Sequence, residues 1–202
     1  SCIIGNPRAH ARGIRYIESD LNRSYHRGGT TYEQRRARYL LLRIRQLQPD
    51  LVLDIHTTVC EQPPCLIGYS EESAAQRFVS ATHIDRYVAM PSQVAEHSLI
   101  GSCSNALSIE VMASEVNELL LGRLTEDIER YSEQETYHKQ LRRYEVTGKI
   151  MKSALTLDEQ ALMSNFVPHP KGFTPILIGE NSYKRQTDYL GFRADKVITT
   201  TL

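Results

Sequence analysis

An aspartate and a histidine end an apolar run over residues 51–56. Asp54 and His56 are two residues apart, so a strand would present both side chains on one face. Ligands of open α/β sheets bind at the carboxyl ends of strands, where a histidine can hold a metal through one ring nitrogen while a carboxylate orients the other. The alternative is a hydrogen-bonded structural histidine, because metal ligation would need two more ligands.

A second carboxylate lies inside the apolar run Ser108-Ile109-Glu110-Val111-Met112. Burial of a carboxylate is costly unless the group is paired or functional. Glu110 therefore has two interpretations. It is either a general base beside a metal-activated water or the partner of a buried arginine.

Residues 7–31 are rich in Arg, Gly, Ser and Asn, lack a sustained period and predict a long loop. Ordered loops of this length are often functional. Arg15, Asn22 and Arg23 lie in this loop and offer a set of donors suited to carboxylates. The alternative is that these side chains are simply solvated.

The elements that would position these residues alternate between helices and strands. Apolar residues at helical spacing and a capping box of Thr30 with Glu33 predict a helix over about 31–47, whose arginine-rich opposite face, including Arg36, predicts a solvated surface. The apolar run that follows predicts a strand buried beneath helices. The sequence further predicts strands at 1–6, 106–112, 144–150 and 174–179, helices at 71–81 and 114–140, and a turn-rich connection at 166–172.

This order of elements predicts an α/β fold with two parts. Residues 1–142 would form an α/β domain whose sheet is flanked by helices, and residues 143–202 a small β-rich C-terminal domain. The length of 202 residues suits one good core with a small appendage.

Charge and composition exclude several classes of function. Lys and Arg total 24 and Asp and Glu total 24, so the net charge is zero. A neutral chain lacks the basic excess that drives nucleic-acid binding, and no apolar run approaches the roughly 20 residues of a membrane span. Cys2, Cys60, Cys65 and Cys103 are too sparse for a disulfide scaffold. The pair Cys60 and Cys65 lacks a second pair at zinc-finger spacing and predicts ordinary loop or core thiols rather than a structural metal site. No signal peptide is visible, so the expected location is cytoplasmic.

Four motifs together resemble the aspartoacylase / succinylglutamate desuccinylase family of zinc amidohydrolases. They are Asn6-Pro7-Arg8-Ala9, then Arg15-Tyr16-Ile17 with Asp20-Leu21-Asn22-Arg23, then Asp54-Ile55-His56-Thr57-Thr58, then Ile109-Glu110-Val111. The resemblance covers residues 3–112 and resumes weakly at Gly179-Glu180-Asn181-Ser182-Tyr183, where Gly replaces the family's Asn. It implies a zinc-carboxypeptidase-like mixed sheet flanked by helices, one zinc ion per chain and deacylation of a small-molecule N-acyl amino acid.

The resemblance implies three roles in the reaction itself. His56 would be a zinc ligand. Glu110 would be the general base that takes a proton from the attacking water and returns it to the leaving amine. Arg15 would polarise the scissile carbonyl and stabilise the developing oxyanion, as preorganised donors do.

The resemblance also implies contacts with the substrate. Asn22 and Arg23 would bind its carboxylate, and Tyr183 would reach it from the C-terminal part of the chain. Aspartoacylases proper carry a further arginine shortly before the base glutamate, and residues 99–103 contain none. The resemblance therefore does not imply a preference for N-acetylaspartate.

The family's first two zinc ligands lie in a Gly-x-His-Gly-Asn-Glu motif that the sequence lacks. His10 and His26 match neither ligand position, and one histidine cannot hold zinc alone. We therefore expect two further ligands and an early strand of the sheet upstream of Ser1. Two alternatives remain: a metallocarboxypeptidase, and a metal-free domain that binds a small carboxylate. The helix predicted at 114–140 has two interpretations, a homodimer interface or a core or surface helix.

Overall fold

Seven strands form one mixed sheet in the computed structural model, which describes residues 2–69, 73–91, 96–179 and 187–202. In chain order the strands are β1 (Val52–Thr58), β2 (Cys65–Gly68), β3 (Arg86–Ala89), β4 (Ala106–Met112), β5 (Gln140–Met151), β6 (Thr174–Ile176) and β7 (Tyr189–Thr201). Their order across the sheet is β1-β4-β2-β3-β5-β7-β6. The predicted α/β class with a mixed sheet is thereby confirmed.

Helices lie on both faces of this sheet. The helices of the described residues are α1 (Pro7–Ala11), α2 (Tyr32–Leu47), α3 (Ser73–Ala81), α4 (Leu99–Ser102), α5 (Glu118–Glu133) and α6 (Leu157–Ala161), with 3₁₀ turns at Leu21–Arg23, Ala113–Glu115 and Lys152–Ala154. Phe78 of α3 and Leu124 of α5 share one buried cluster with Ile109 of β4. Leu40 of α2 and Leu99 of α4 belong to another cluster, which lies on the opposite face of the sheet. Val52 of β1 packs against it. No helix of the described ranges has both the length and the apolar character needed to cross a bilayer.

Strands β1 and β4 run parallel and place the candidate residues side by side. Asp54 is in register with Ser108, and His56 is in register with Glu110. Side chains of a strand alternate between faces, so these four lie on one face of the sheet while Ile109 points to the helices α3 and α5. Strand β1 follows a helix, as predicted, and β4 has the predicted bounds, although β3 and α4 lie between it and the helix α3 that was predicted to precede it directly.

The start of the chain differs from its prediction. Within residues 2–6 there is no strand, and Ile3 and Ile4 are 55% and 51% exposed. The carbonyl groups of Ile4 and Gly5 instead accept hydrogen bonds from the Arg36 guanidinium, at 2.8 and 2.7 Å. The prediction of a strand at 1–6 is therefore wrong for residues 2–6. The prediction of a solvated surface is wrong for Arg36, which binds backbone carbonyl groups.

The loop predicted at 7–31 contains short helical segments. Asn6 caps α1, its side chain accepting from the Ala9 N–H, and Pro7 occupies the first turn, where its fixed φ is favourable. The capping box of α2 consists of Thr31 and Gln34, one residue later than the predicted pair Thr30 and Glu33. Glu33 cannot serve as the cap because its carboxylate points into the interior, as described below.

Two further boundaries were predicted wrongly. The helix predicted at 114–140 spans only Glu118–Glu133, because Asn117 caps its start and Gln134 ends it in a left-handed conformation with φ of 61°. The strand predicted at 174–179 ends at Ile176, because Leu177 and Gly179 have positive φ of 55° and 97°. Strands β2, β3 and β7 were not predicted.

Strand β1 is less buried than expected. It lies at the edge of the sheet that the described residues form, and Ile55 is 56% exposed. The prediction of a strand buried beneath helices is therefore wrong for β1, although it holds for β4, where Ala106 on one face and Leu107 and Ile109 on the other are almost fully buried.

The sheet is continuous across the predicted boundary at residue 142. Strand β5 spans that position, pairs in parallel with β3 and pairs antiparallel with β7. Strands β5, β7 and β6 form the antiparallel, β-rich end of the sheet. The division of the chain into two domains stays a prediction.

Candidate active site

His56 is held on its strand by the neighbouring carboxylate. Its Nε2 lies 2.7 Å from Oδ2 of Asp54, and both side chains are half-buried on the same face of β1. The sequence predicted this contact from the spacing of two residues. With Nε2 bound to Asp54, Nδ1 is the ring nitrogen that could coordinate a metal.

Three carboxylates surround this imidazole. Burial alone would lower the pKa of His56, but the charges of Asp54, Glu110 and Asp20 and the hydrogen bond from Asp54 outweigh it and raise the pKa to about 9. The surroundings of His56 therefore favour a positive charge. A metal cation would meet the same field as a proton.

Glu110 lies beside His56 on the adjacent strand. It is half-buried, in register with His56 and on the same face of the sheet. On its other side it is in register with Cys65 of β2, whose thiol is fully buried. Burial and the nearby charge of Glu110 together raise the pKa of this thiol, which keeps it protonated. The arrangement puts a carboxylate within one strand spacing of the histidine.

Arg15 reaches this region through an ion pair. Its Nε and Nη2 donate to Oδ2 of Asp20 at 3.0 and 2.9 Å. Asp20 is the same carboxylate whose charge raises the pKa of His56. The loop that carries Arg15 is therefore near enough for the charge of Asp20 to act on the histidine, and the guanidinium is about half exposed and held on a carboxylate.

Asn22 and Arg23 lie in the 3₁₀ turn that follows. Asp20 caps this turn, its side chain accepting from the Asn22 N–H at 2.9 Å. The Asn22 side chain accepts from the Leu99 N–H, which ties the turn to α4 just before β4. Arg23 is exposed and donates to the Asn22 carbonyl at 2.9 Å. Asn22 is thus tied to the segment that leads into β4, and Arg23 lies on the protein surface.

The remaining predicted contact, Tyr183, lies outside the described residues. The structure therefore brings together His56, Asp54, Glu110 and the loop of Arg15 and Asn22, and describes no position for Tyr183.

Two residues that support the candidate site, Asp20 and Glu33, were not predicted from the sequence as site residues. Asp20 was noted only as part of a motif, although it pairs with Arg15 and acts on the charge of His56. Glu33 accepts hydrogen bonds from the loop and is fully buried. Its signal was present, because Glu33 lies four residues before Ala37 on the apolar stripe of α2.

The described residues fit zinc only in part. Residues 2–69, 73–91, 96–179 and 187–202 contain no group of three or more His, Cys, Asp or Glu side chains arranged to hold a metal ion. His56 supplies one suitable ligand, oriented by a carboxylate as metal-binding histidines are. A structural zinc site would need four ligands and a catalytic one three.

Comparison with solved structures identifies the class of fold. Murine aminoacylase 3 superposes with a TM-score of 0.68 at 19% identity, over 98% of this chain and 84% of that one. The succinylglutamate desuccinylase from Vibrio parahaemolyticus superposes with a TM-score of 0.64 at 16% identity, over 98% of this chain and 74% of that one. The carboxypeptidase-like α/β architecture is thereby confirmed.

The sequence itself matches a family model. The model of the succinylglutamate desuccinylase/aspartoacylase catalytic domain matches residues 1–133, and the chain belongs to this family. A probable aspartoacylase of Prochlorococcus marinus (strain MIT 9301) is 29% identical over an alignment 154 positions long that covers 63% of this chain and 50% of that protein. One from strain MIT 9515 is 37% identical over 75 residues, 33% of this chain and 25% of that protein. The chain thus spans between a quarter and a half of these curated relatives.

Proposed function

We propose that this protein is a zinc-dependent hydrolase that cleaves the amide bond of an N-acyl amino acid. The observation that carries the proposal is the register of His56 with Glu110, with the Arg15 loop beside them through Asp20. Family membership supports amide deacylation as the class of reaction. The small-molecule substrate is a proposal, as the chain spans only part of its relatives.

His56 is the proposed zinc ligand among the described residues, through Nδ1, with Asp54 as its orienting partner. We propose one zinc per chain, with two further ligands supplied by residues outside those described. When bound, zinc supplies a Lewis acid and lowers the pKa of a coordinated water. The cluster of carboxylates around His56 suits such a cation.

Glu110 is the proposed general base. Its register with His56 supports the proposal that it takes the proton of the attacking water and returns it to the leaving amine, which makes the amine a viable leaving group. Arg15 is the proposed donor to the carbonyl oxygen as negative charge develops there. Its guanidinium would exchange Asp20 for the substrate oxygen, or bind both through its several N–H groups.

Asn22 and Arg23 are the proposed partners of the substrate carboxylate. Arg23 is exposed, and its guanidinium has donors beyond the one used by the Asn22 carbonyl. Tyr183 remains a proposed substrate contact from the C-terminal part. A cytoplasmic location and a homodimer are further predictions.

A substrate panel tests the proposal. The intact protein would be purified, analysed for zinc and then assayed with N-acetylaspartate, N-succinylglutamate and a blocked dipeptide that has a free carboxyl terminus. We expect one zinc per chain and hydrolysis of an N-acyl amino acid. Cleavage of only the blocked dipeptide would favour a metallocarboxypeptidase. Carboxylate binding with neither zinc nor hydrolysis would favour the metal-free binding domain.

A further inference from the structure

Glu33 has an unusual environment for a carboxylate near the start of a helix. It lies in the first turn of α2, yet its side chain is fully buried. Its Oε1 accepts from the Asn6 Nδ2 at 3.1 Å and from the Ile17 N–H at 2.6 Å. Its Oε2 accepts from the N–H groups of Glu18 and Ser19, at 3.2 and 3.1 Å. One carboxylate therefore collects four hydrogen bonds, three of them from consecutive backbone amides.

These three amides belong to the loop that carries the candidate site residues. Arg15 lies two positions before Ile17, and Asp20 directly follows Ser19. Glu33 holds the backbone at residues 17, 18 and 19 through these hydrogen bonds, and this segment lies between Arg15 and Asp20. The bonds therefore help to set the positions of the Arg15 and Asp20 side chains. Asp20 in turn caps the turn that holds Asn22.

Other contacts join the same loop to the start of α2. The Ser19 hydroxyl lies 2.9 Å from the hydroxyl of Thr31, the helix cap. The Tyr32 N–H donates to the carboxylate of Glu18. These contacts are less buried than Glu33, so the buried carboxylate is the central attachment of the loop.

We propose that Glu33 is a positioning residue: its carboxylate fixes the loop so that Arg15 and Asn22 are held at the site. The proposal rests on the proposed function, which gives Arg15 and Asn22 their roles. Glu33 itself would touch neither substrate nor reacting atoms, because it is fully buried beneath the loop.

The charge of Glu33 is well suited to this task. Burial alone would raise its pKa, but the hydrogen bonds from Ile17, Asn6 and Ser19 outweigh burial and lower it. The group therefore stays ionised at neutral pH, and charge-assisted hydrogen bonds are stronger than neutral ones. Glutamine would keep the size of the side chain but place an NH₂ donor against amide N–H donors.

The experiment compares Glu33→Gln with Glu33→Asp and the control Glu129→Gln, which changes an exposed glutamate on α5. Amide hydrogen exchange at residues 17–19 and the Arg15 Nε–H resonance report the loop without requiring activity. In Glu33→Gln we expect exchange at residues 17–19 to be about 10- to 100-fold faster, because charged hydrogen bonds are lost. We also expect the Arg15 Nε–H resonance to move, since its contact with Asp20 is disturbed.

Kinetics of the zinc-loaded protein with its best N-acyl amino acid distinguish positioning from a purely structural role. We expect Glu33→Gln to lower kcat/KM at least about 10-fold while melting in one cooperative transition and keeping the wild-type zinc affinity. Glu33→Asp keeps the charge and should recover part of this loss. A folded Glu33→Gln protein with unchanged exchange and an unchanged Arg15 resonance, or with wild-type kcat and KM, would overturn the proposal.

The two proposals fail in different ways. If the wild-type protein hydrolyses no N-acyl amino acid, the proposed function fails, while the exchange rates and the Arg15 resonance still decide the role of Glu33. If Glu33→Gln does not fold, the same measurements on Glu33→Asp decide it. Aspartate is one methylene shorter than glutamate, so its carboxylate would lie farther from the amides of residues 17–19 and their exchange should be faster than in the wild type. Wild-type exchange rates there would overturn the proposal.

Discussion

Asp54 and His56 form a 2.7 Å contact between two residues of one strand, the carboxylate oxygen Oδ2 meeting the ring nitrogen Nε2. The contact fixes the plane of the imidazole and leaves its other nitrogen, Nδ1, as the atom that could coordinate a metal. Carboxylate partners of this kind tune metal affinity even though they do not touch the metal.

Removal of the Asp54 charge should weaken zinc binding. For Asp54→Asn we expect zinc affinity to fall about 10- to 100-fold, because the imidazole loses its orienting acceptor and part of its basicity. A competition titration with a chromophoric chelator measures the change. Asp50→Asn, an exposed aspartate just before β1, is the matched control. Equal zinc affinity in Asp54→Asn and the control would contradict the role of Asp54.

The sequence predicted the strands of the site but not their pairing. Strand β4 was placed correctly because its apolar run ends in clear boundaries, and the spacing of Asp54 and His56 predicted a shared face. The register of His56 with Glu110 could not be predicted, because β1 and β4 are distant in sequence and nothing local specifies their alignment.

Buried polar groups account for other differences from the predictions. Glu33 was assigned to a capping box and Arg36 to a solvated face, since both residue types are usually exposed. In the structure both bind backbone of the preceding segment, Glu33 through amides at 17–19 and Arg36 through the carbonyls of Ile4 and Gly5. Such contacts depend on tertiary structure, which periodicity along one helix does not report.

Glu110 provides the most direct test of the reaction. For Glu110→Gln we expect kcat to fall about 100- to 10,000-fold, because the amide cannot accept the proton but preserves the shape of the site. Zinc content should not change. The measurement is turnover of the zinc-loaded protein, with Glu115→Gln, an exposed residue just after β4, as control. Near-normal turnover in Glu110→Gln would exclude Glu110 as the base.

Arg15 should act mainly in the transition state. Its replacement by alanine should lower kcat about 100- to 1,000-fold, as loss of an oxyanion donor does, with a smaller rise in KM. Arg15→Lys should recover little, because an ammonium cannot reproduce the fork of N–H donors that meets Asp20. Arg12→Ala, at an exposed residue of the same region, is the control. A change confined to KM would instead place Arg15 in substrate binding.

Asp127 is the centre of a hydrogen-bond network away from the site. We expect this network to contribute strongly to the stability of the contact between α3 and α5. Asp127 of α5 is fully buried and accepts from the Thr82 hydroxyl at 2.6 Å, the His83 N–H at 2.9 Å and the Arg130 guanidinium at 2.5 Å. Asp127→Ala should lower the free energy of unfolding by about 3–5 kcal/mol, because the buried Thr82 hydroxyl and the half-buried His83 and Arg130 lose their acceptor. Urea unfolding measures this. Glu126→Ala, at a largely exposed position, should cost less than about 1 kcal/mol.

The same carboxylate predicts how stability depends on pH. Burial would raise the pKa of Asp127, but hydrogen bonds from His83 and Thr82 outweigh burial and lower it below its ordinary value. A carboxyl with a lowered folded-state pKa contributes stability that is complete above the unfolded-state pKa, about 4, and is lost as pH falls through the folded-state value. Asp127→Asn removes this titration. Its free energy of unfolding should therefore fall less steeply than that of the wild type between about pH 5 and pH 2, measured by urea unfolding at each pH. Parallel curves for the two proteins would show that Asp127 has the same pKa folded and unfolded.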